Sequence, residues 1–364
     1  MDKLAKTKRE ADIPKYELVK NYIRHLLADN IIAYGERLPS EHELMEKFRV
    51  SRHTVRQAFG ELSAEGCIRK EQGKGTFSSF RKDFKRRQIV AVLTTYLSGF
   101  VFPGIMAGIE QVLSDEGYMM LLSNTNNIKE REAQHLSSLL EHNIAGIIIE
   151  PTKSARGNEN LRLLEGLRDR GVKFVFINAY YDDFDCPYVI MDDFKGGFIS
   201  AEYLIRLGHR KIAGIFKTDD KQGVFRKNGY LSALSEYGII SDPGIVGEYE
   251  TANMYDYPYM FAQSLIRRKD HPSAFFCYND QCALTAIQAI KDEGMRVPDD
   301  VSVVGYDDSA SMQSDIRLTT VPHPKKEMGV LAARYMVGML DGRLAKPQMV
   351  YRPELVVRNS CRNV

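Results

Sequence analysis

The sequence predicts an α/β protein with mainly parallel, doubly wound sheets from residue 89 onward, preceded by a small helical unit that ends in a hairpin. Three observations carry this expectation. At 364 residues the chain exceeds the size a single core usually serves, so two or more compact units are expected. From Ile89 short apolar runs alternate with amphipathic stretches, the pattern of buried strands covered by helices on both faces. Before that point, three stretches with helical apolar spacing precede a glycine-punctuated segment that reads as two short strands.

Composition narrows the function classes. A hydrophobic content of 44% with 27% charged residues suits a folded chain rather than a disordered one. The net charge of +2 conceals an asymmetry: residues 1–88 carry 20 Lys+Arg against 13 Asp+Glu, net +7, leaving 30 against 35, net −5, for the rest. A basic first quarter favours an anionic partner. The five cysteines, Cys67, Cys186, Cys277, Cys282 and Cys361, are scattered without a CxxC pair, so neither metal nor cofactor is expected, and reduced thiols in a cytoplasm are. The charged N-terminus has no apolar core, and no apolar stretch approaches ~18 residues, so neither signal peptide nor membrane span is expected.

Residues 1–13 read as a leader. From Tyr16 the apolar positions Tyr16, Val19, Ile23, Leu26 and Leu27 predict a helix ending near Asn30. Ser40 and Glu43 form an S-x-x-E capping box that starts a second helix. After a turn at Arg49 and Val50, Ser51 caps a third helix running towards Gly66. At ~100° per residue, Val55, Ala58, Phe59 and Leu62 share one arc while Arg52, His53, Arg56, Gln57 and Gly60 share the other. A basic helix face is most often a solvated one. The order of capped helix, short turn and basic second helix is however that of a helix-turn-helix, whose second helix meets base edges. Arg52 is then placed to chelate guanine O6 and N7, His53 to reach a base or phosphate, and Arg56 either. The following "CIRKEQGKGTFSSF" predicts two strands around Gly73-Lys74-Gly75, a wing with Lys74 at its tip. No GxxxxGK[ST] is present to favour a nucleotide-binding loop.

The run from Lys15 to Phe77 resembles the winged helix-turn-helix domain of the GntR family of bacterial transcription regulators, through its LPSE, VSR-TVR, LxxEG and QGKGTF elements in order and spacing. That resemblance implies double-stranded operator DNA as partner, read by a homodimer. Glu41, Arg52, His53, Thr54 and Arg56 are the implied DNA contacts, together with the wing around Gln72, Gly73 and Lys74. Lys15 and Ser51 are the expected phosphate contacts. The expected boundaries are 1–80 for this domain, 81–88 ("RKDFKRRQ") for a linker and 89–364 for an effector-binding and dimerisation domain.

In the second domain the runs IVAVLTT, YMMLLSN, GIIIEPT, KFVFINA, YVIMDD, KIAGIFK, SAFFCYND and VSVVGYDD predict strands, and residues 103–115, 130–142, 195–207, 226–237 and 281–293 predict helices. Ligands of open α/β sheets sit at the carboxyl ends of strands. Tyr96, Asn124, Glu150, Asn178, Lys217, Asn279, Asp280 and Asp308 fall at such ends, although a helix cap or turn would explain any one of them as well. Their shared placement is the stronger argument. Mixed donors and acceptors beside Tyr96, Phe100 and Phe102, which can pack on the apolar face of a pyranose, suit an uncharged polyhydroxylated ligand.

The segments "GIIIEPT", "FINAYYDDFDCPYVIMDDFKGG", "FRKNGY", "CYNDQCALTAIQAIKDEGMRVPDDVSVVGYDDS" and "LTTVPHPKKEMG" resemble the effector domain of the LacI/GalR family. This implies a two-lobed periplasmic-binding-protein-like fold and a sugar ligand held by Arg226, Asn279 and Asp280, with Gln222 and His323 also in the set. Asn178 stands where that family often has Asp, which keeps hydrogen bonding and drops a charge. The chain lacks that family's own N-terminal helix-turn-helix and hinge helix. The fusion, with its VLTTY, GYxMLL, IIEPTKS and DDxKGG elements, resembles a family of arabinose-responsive repressors and implies release from operators by L-arabinose. The alternatives are a repressor of the same architecture answering another sugar, and a carbohydrate-active enzyme. No GxSxG, HExxH or Walker element supports catalysis.

Overall fold

The computed structural model describes residues 14–28, 31–71, 74–79, 89–97, 99, 101–309 and 316–364. The expected leader 1–13 and linker 81–88, and the candidates Gln72, Gly73 and Phe100, lie outside the described residues. Internal contacts divide the chain into two units, Met1–Arg87 and Gln88–Val364.

In the first unit α1 (Lys15–Ala28), α2 (Glu41–Phe48) and α3 (Arg52–Ala64) enclose one apolar core. Val19, Ile23 and Leu27 supply it from α1, Leu44 from α2, and Val55, Ala58, Phe59 and Leu62 from α3. The capping box forms as the sequence predicts: Glu43 N donates to Ser40 Oγ at 3.2 Å, and Ser40 N donates to the Glu43 carboxylate at 2.7 Å. α2 stops where Arg49 adopts the left-handed conformation, φ 49°. Ser51 Oγ then accepts from Thr54 N at 3.2 Å and starts α3, satisfying an otherwise orphaned helical donor. β1 (Ile68–Glu71) and β2 (Gly75–Ser78) pair antiparallel to form the wing. Gly75 has φ +123°, a backbone conformation that strongly favours glycine.

The second unit contains two parallel sheets. β3 (Ile89–Thr94), β4 (Met119–Asn124), β5 (Ile144–Ile149), β6 (Lys173–Ile177) and β7 (Tyr188–Met191) alternate with α4 (Phe102–Asp115), α5 (Lys129–Leu140) and α6 (Leu161–Asp169). The chain then enters a second lobe through α7 (Asp193–Arg206), β8 (Ile212–Lys217), α8 (Lys221–Glu236), β9 (Val246–Tyr249), α9 (Tyr257–Ile266), β10 (Ala274–Cys277), α10 (Asp280–Asp292) and β11 (Ser302–Val304). It returns to the first lobe with α11 (Lys325–Leu340) and β12 (Gln348–Tyr351). Among the described residues the strand orders are β12-β7-β6-β5-β3-β4 and β11-β10-β8-β9. In each lobe the first strand, β3 or β8, lies between its two successors. That is where strand order reverses and a crevice opens at the carboxyl ends.

Alternation along each strand covers both sheet faces. Val90 and Val92 of β3 pack with Ile105 and Ile109 of α4 and Met336 of α11, while Ala91 and Leu93 pack with Leu136 of α5 and Leu164 of α6. In β8, Ile212 and Phe216 face Tyr230 and Ala233 of α8, while Ala213 and Ile215 face Ala262 of α9 and Ala286 of α10. Helices α6, α9 and α11 and strands β9 and β12 are additions to the predicted elements. Helix α8 also begins at Lys221, ahead of the expected 226, because its buried positions include Gly223, Arg226 and Gly229, which carry no apolar periodicity.

Candidate nucleic-acid interface and candidate ligand cavity

On α3 the four apolar residues named above are buried, and Arg52, His53, Arg56 and Gln57 are exposed. Glu41, the first residue of α2, faces both arginines: Arg52 Nε donates to its Oε2 at 2.8 Å and Arg56 Nε at 3.1 Å, with Lys70 Nζ of β1 at 3.7 Å. The Arg52 hydrogen bond, with Arg56 adding to it, holds the Glu41 carboxyl below the usual carboxylate range. The Arg52 and Arg56 side chains remain 65% and 55% exposed, so their remaining donors face outward. Thr54 Oγ1 lies 2.9 Å from Ser51 Oγ at the helix start. Lys74 stands at the wing turn, 3.8 Å from Glu71, and Lys15 opens α1. The structure therefore joins Glu41, Ser51, Arg52, His53, Thr54 and Arg56 around the N-terminal turn of α3. Lys15 belongs to the start of a different helix.

In the second unit a cavity of about 380 Å³ opens at the carboxyl ends of β3, β5, β8 and β10. Tyr96, Phe102, Glu150, Asn178, Lys217, Gln222, Arg226, Asn279 and His323 all line it. Burial pushes the Glu150 carboxyl up to about 7, against hydrogen bonds from Thr95 and Asn178. Thr95 N donates to Glu150 Oε2 at 3.0 Å, and Asn178 Nδ2 donates to Oε1 at 2.8 Å. His323 Nε2 lies 3.0 Å from Asn178 Oδ1. Burial, with Arg226 and Lys325 nearby, pulls His323 down to about 3, so the ring is neutral and donates from Nε2 to that oxygen.

Arg226 is 4% exposed and held on three sides. It donates to Asp193 Oδ1 at 2.8 Å and to the Tyr278 carbonyl at 2.7 Å, and lies 3.4 Å from Asp307 Oδ1. Its guanidinium carbon sits 3.5 Å from the Tyr306 ring centroid, a cation–π contact. Burial works against its charge, but Asp193 and Asp307 outweigh it and raise its pKa. Burial also lifts Asp193 to about 6 despite Arg226. Lys217 follows the same logic: burial opposes the charge, while Asp220 and Asp219, the latter at 2.7 Å, hold its pKa above the ordinary lysine value.

Three candidates sit elsewhere. Asp280 is fully buried and does not line the cavity. It accepts from Thr320 Oγ1 at 2.7 Å and Ser309 N at 2.6 Å, and a Cβ on Gly305 would come within 2.1 Å of its Oδ1. It is a strut between α10 and the chain returning to the first lobe. Asp308 takes two parallel donors from Arg358, at 2.7 and 3.0 Å. Asn124 accepts from Asn126 N at 2.9 Å within its own turn. Conversely, sequence reasoning missed Asp193, Asp220, Tyr249, Met254, Tyr278 and Asp307, all of which line the cavity. Asp193 and Asp307 each belong to an Asp-Asp pair at a strand end, the available signal. Tyr249 ends β9, a strand with no such mark, and Met254 lies beyond it.

Among the described residues no cluster of His, Cys, Asp and Glu is arranged to hold a metal ion, and no helix is long and apolar enough to cross a membrane. Residues 15–77 match the family of bacterial regulatory proteins of the gntR type, and residues 201–361 match the periplasmic binding protein-like domain. The chain is 41% identical over 363 residues to the arabinose metabolism transcriptional repressor of Geobacillus stearothermophilus, covering 98% of this chain and 100% of that one. It is 39% identical over 360 residues to the repressor of the same name from Halalkalibacterium halodurans, covering 95% and 96%. Among solved structures it is similar to a complex of the transcriptional regulator CelR with cellobiose, at TM-score 0.65 and 27% identity over 85% of this chain and 91% of the other. A gntR-type head joined to a periplasmic-binding-like body, matched along nearly the whole length of both relatives, places the protein: the chain belongs to the family of arabinose metabolism transcriptional repressors.

Proposed function

We propose that the protein is a homodimeric repressor that reads a pseudo-palindromic operator through α3 and the wing, and that L-arabinose in the cavity releases it. The observation that carries this reading is the match to arabinose metabolism repressors across both units, not across the head or the body alone. A two-fold dimer would present two α3 helices to successive major-groove turns. Arg52 and Arg56 would contact base edges, His53, Thr54 and Ser51 bases or phosphates, and Lys15 and Lys74 phosphates. Nothing in this scheme calls for catalysis or a cofactor.

The cavity chemistry supports a neutral sugar. Its volume lies at the small end of the range for small-molecule sites, roughly 300–1,000 Å³. Lys217 and Arg226 are cations already compensated by carboxylates, so a charged ligand would upset a balanced set while hydroxyls add only hydrogen bonds. Glu150 and Asp220 offer acceptors, Asn279, Gln222 and Lys217 offer donors, and Tyr96 with Phe102, whose ring centroids are 6.1 Å apart, offers an apolar wall. CelR, whose structure is similar, is seen in complex with cellobiose. Release requires that the sugar bind one lobe arrangement more tightly than the other, since equal affinity shifts nothing.

The test is a fluorescence-anisotropy titration of an arabinose-promoter fragment at fixed salt, with a panel of pentoses and hexoses added in turn. Release by L-arabinose alone is the expected result. Release by a different sugar keeps the architecture and replaces the effector. Tighter binding with sugar reverses the sign of control.

A further inference from the structure

The two lobes of the second unit meet beside the cavity along a rim of hydrogen bonds between the segments around 127 and 154 and those around 220 and 251. One side chain concentrates the contacts there. Asn127 lies between β4 and α5 on the first lobe and is fully buried. Its Oδ1 accepts from Lys153 N of the same lobe at 2.7 Å. Its Nδ2 donates twice into the second lobe, to Asp220 Oδ1 at 3.1 Å and to Thr251 Oγ1 at 2.7 Å. Both amide hydrogens are thus used across the boundary, and the carbonyl oxygen anchors the group to its own lobe. The backbone is shaped for it, with φ 54°, a left-handed conformation that Asn tolerates better than most residues.

The two acceptors are not passive. Asp220 lines the cavity, and its other oxygen, Oδ2, accepts from Lys217, a second lining residue. Thr251 Oγ1 passes its own hydrogen to Asp219 Oδ2 at 2.7 Å, and Asp219 is the second carboxylate against Lys217. From the first lobe, Asn127 therefore sets both carboxylates that orient the cavity ammonium of the second. We propose that Asn127 is the positioning residue that couples lobe closure to ligand binding, fixing the Asp219–Lys217–Asp220 group only when the lobes are shut. The ligand side of this inference rests on the sugar reading above; the closure side does not.

Two backbone amides report closure independently of the sugar's identity. Ala155 N donates to Asp219 O at 3.1 Å and Lys221 N donates to Ser154 Oγ at 2.9 Å, both across the same rim. Two variants separate the proposal from misfolding. Asn127→Asp keeps size and the Lys153 acceptor but sets a carboxylate against Asp220. Asn127→Gly accepts the positive φ without strain and removes the side chain. In the full-length protein, with L-arabinose and the sugar panel as probes, both variants should weaken sugar affinity ~10-fold or more, as expected for losing hydrogen bonds to a charged group. They should also speed hydrogen exchange at Ala155 and Lys221 while leaving β3, β5 and β8 protected and sugar-free operator affinity unchanged. Combining Asn127→Asp with Asp220→Asn restores a donor and an acceptor in reversed roles and should recover part of the affinity, which a merely structural role would not. Unchanged exchange at the two amides in both variants overturns the proposal, whatever the sugars do. Faster exchange in a protein that binds no sugar of the panel supports the rim contact and removes the arabinose reading instead. Normal sugar affinity with faster exchange also overturns the proposal, because closure would then not be coupled to the ligand.

Discussion

Both units display arginine beside carboxylate, and the two settings behave differently. On the head, Arg52 and Arg56 share the one carboxylate of Glu41 and stay more than half exposed. In the cavity, Arg226 sits between Asp193 and Asp307 at 4% exposure. Water screens the first pair, so its net worth is roughly 0–1 kcal/mol and the partners can be exchanged. The second is desolvated, so removing one partner strands charge at a cost of about 3–5 kcal/mol. An exchangeable cation suits the proposed DNA-reading surface, on which Arg52 and Arg56 would leave Glu41 for phosphates and guanines. A fixed one suits a wall whose shape has to persist whether or not ligand is present.

The largest effect should come from breaking the fixed setting. Arg226→Ala leaves Asp193 and Asp307 buried together without their cation and is expected to lower unfolding free energy by ~3–5 kcal/mol. It should also abolish the sugar response, read by urea unfolding and calorimetric titration of the same preparation. A loss of sugar response with unchanged unfolding would mean that Arg226 contacts ligand without supporting the wall.

How far the sequence shows this difference depends on which contacts are local. The capping box, the basic arc of α3 and the wing are legible because every partner lies within a few residues. Strands β3 to β8 are legible for the same reason, each being a short, mainly apolar run. Helix α11 is not, since Met328, Ala332, Ala333, Met336 and Val337 are buried among glycines and alanines, which blurs its apolar stripe. β12, with three of its four residues exposed, is a strand only because it pairs with β7, a partner far away in sequence. In the cavity, Tyr96, Glu150, Asn178, Lys217 and Asn279 fall into place because strand ends can be read from apolar runs, whereas Gln222, Arg226 and His323 are reached only through the family resemblance. Asp280 and Asp308 stand at equally good strand ends, yet Thr320 and Arg358, distant in sequence, claim their carboxylates. Local pattern finds the edge of the sheet; tertiary partners decide which edge residues remain for a ligand.

A second effect sharpens the contrast through pH. Glu150, like Asp193, has its folded pKa raised by burial, to about 7 from an ordinary 4.5. Between those values the folded chain holds a proton that the unfolded chain has lost, so stability falls as pH rises through that window. One pH unit is worth ~1.4 kcal/mol at most, so the rise from 4.5 to about 7 sets an upper bound of ~3.5 kcal/mol on the whole effect. Glu150→Gln removes the titrating group, though its amide NH2 then faces a donor, Thr95 N or Asn178 Nδ2, and it should flatten the profile of unfolding free energy between about pH 5 and 7 at some loss of overall stability. A profile as steep as that of the unsubstituted protein would assign the dependence to Asp193, whose carboxyl is raised to about 6.

The head should show the smaller changes, and here the choice of residue separates grip from discrimination. Arg52→Ala is expected to lose ~1–3 kcal/mol of operator preference over random duplex, measured at fixed salt, with the salt slope little altered if the side chain reads a base. Glu41→Gln is gentler. It removes a charge that would face the phosphates and loosens both guanidiniums, each of which is tied to it by a hydrogen bond. Two consequences then oppose one another: weaker repulsion raises affinity for any duplex, while less ordered arginines lower preference for the operator. Because the ion pairs are exposed, each change should stay within ~1 kcal/mol, and their signs carry the information. A gain on random DNA with a loss of preference means that Glu41 orients the arginines. A loss of preference with no gain on random DNA means that Glu41 itself accepts from a cytosine amino group, and the head then has a fixed element of its own.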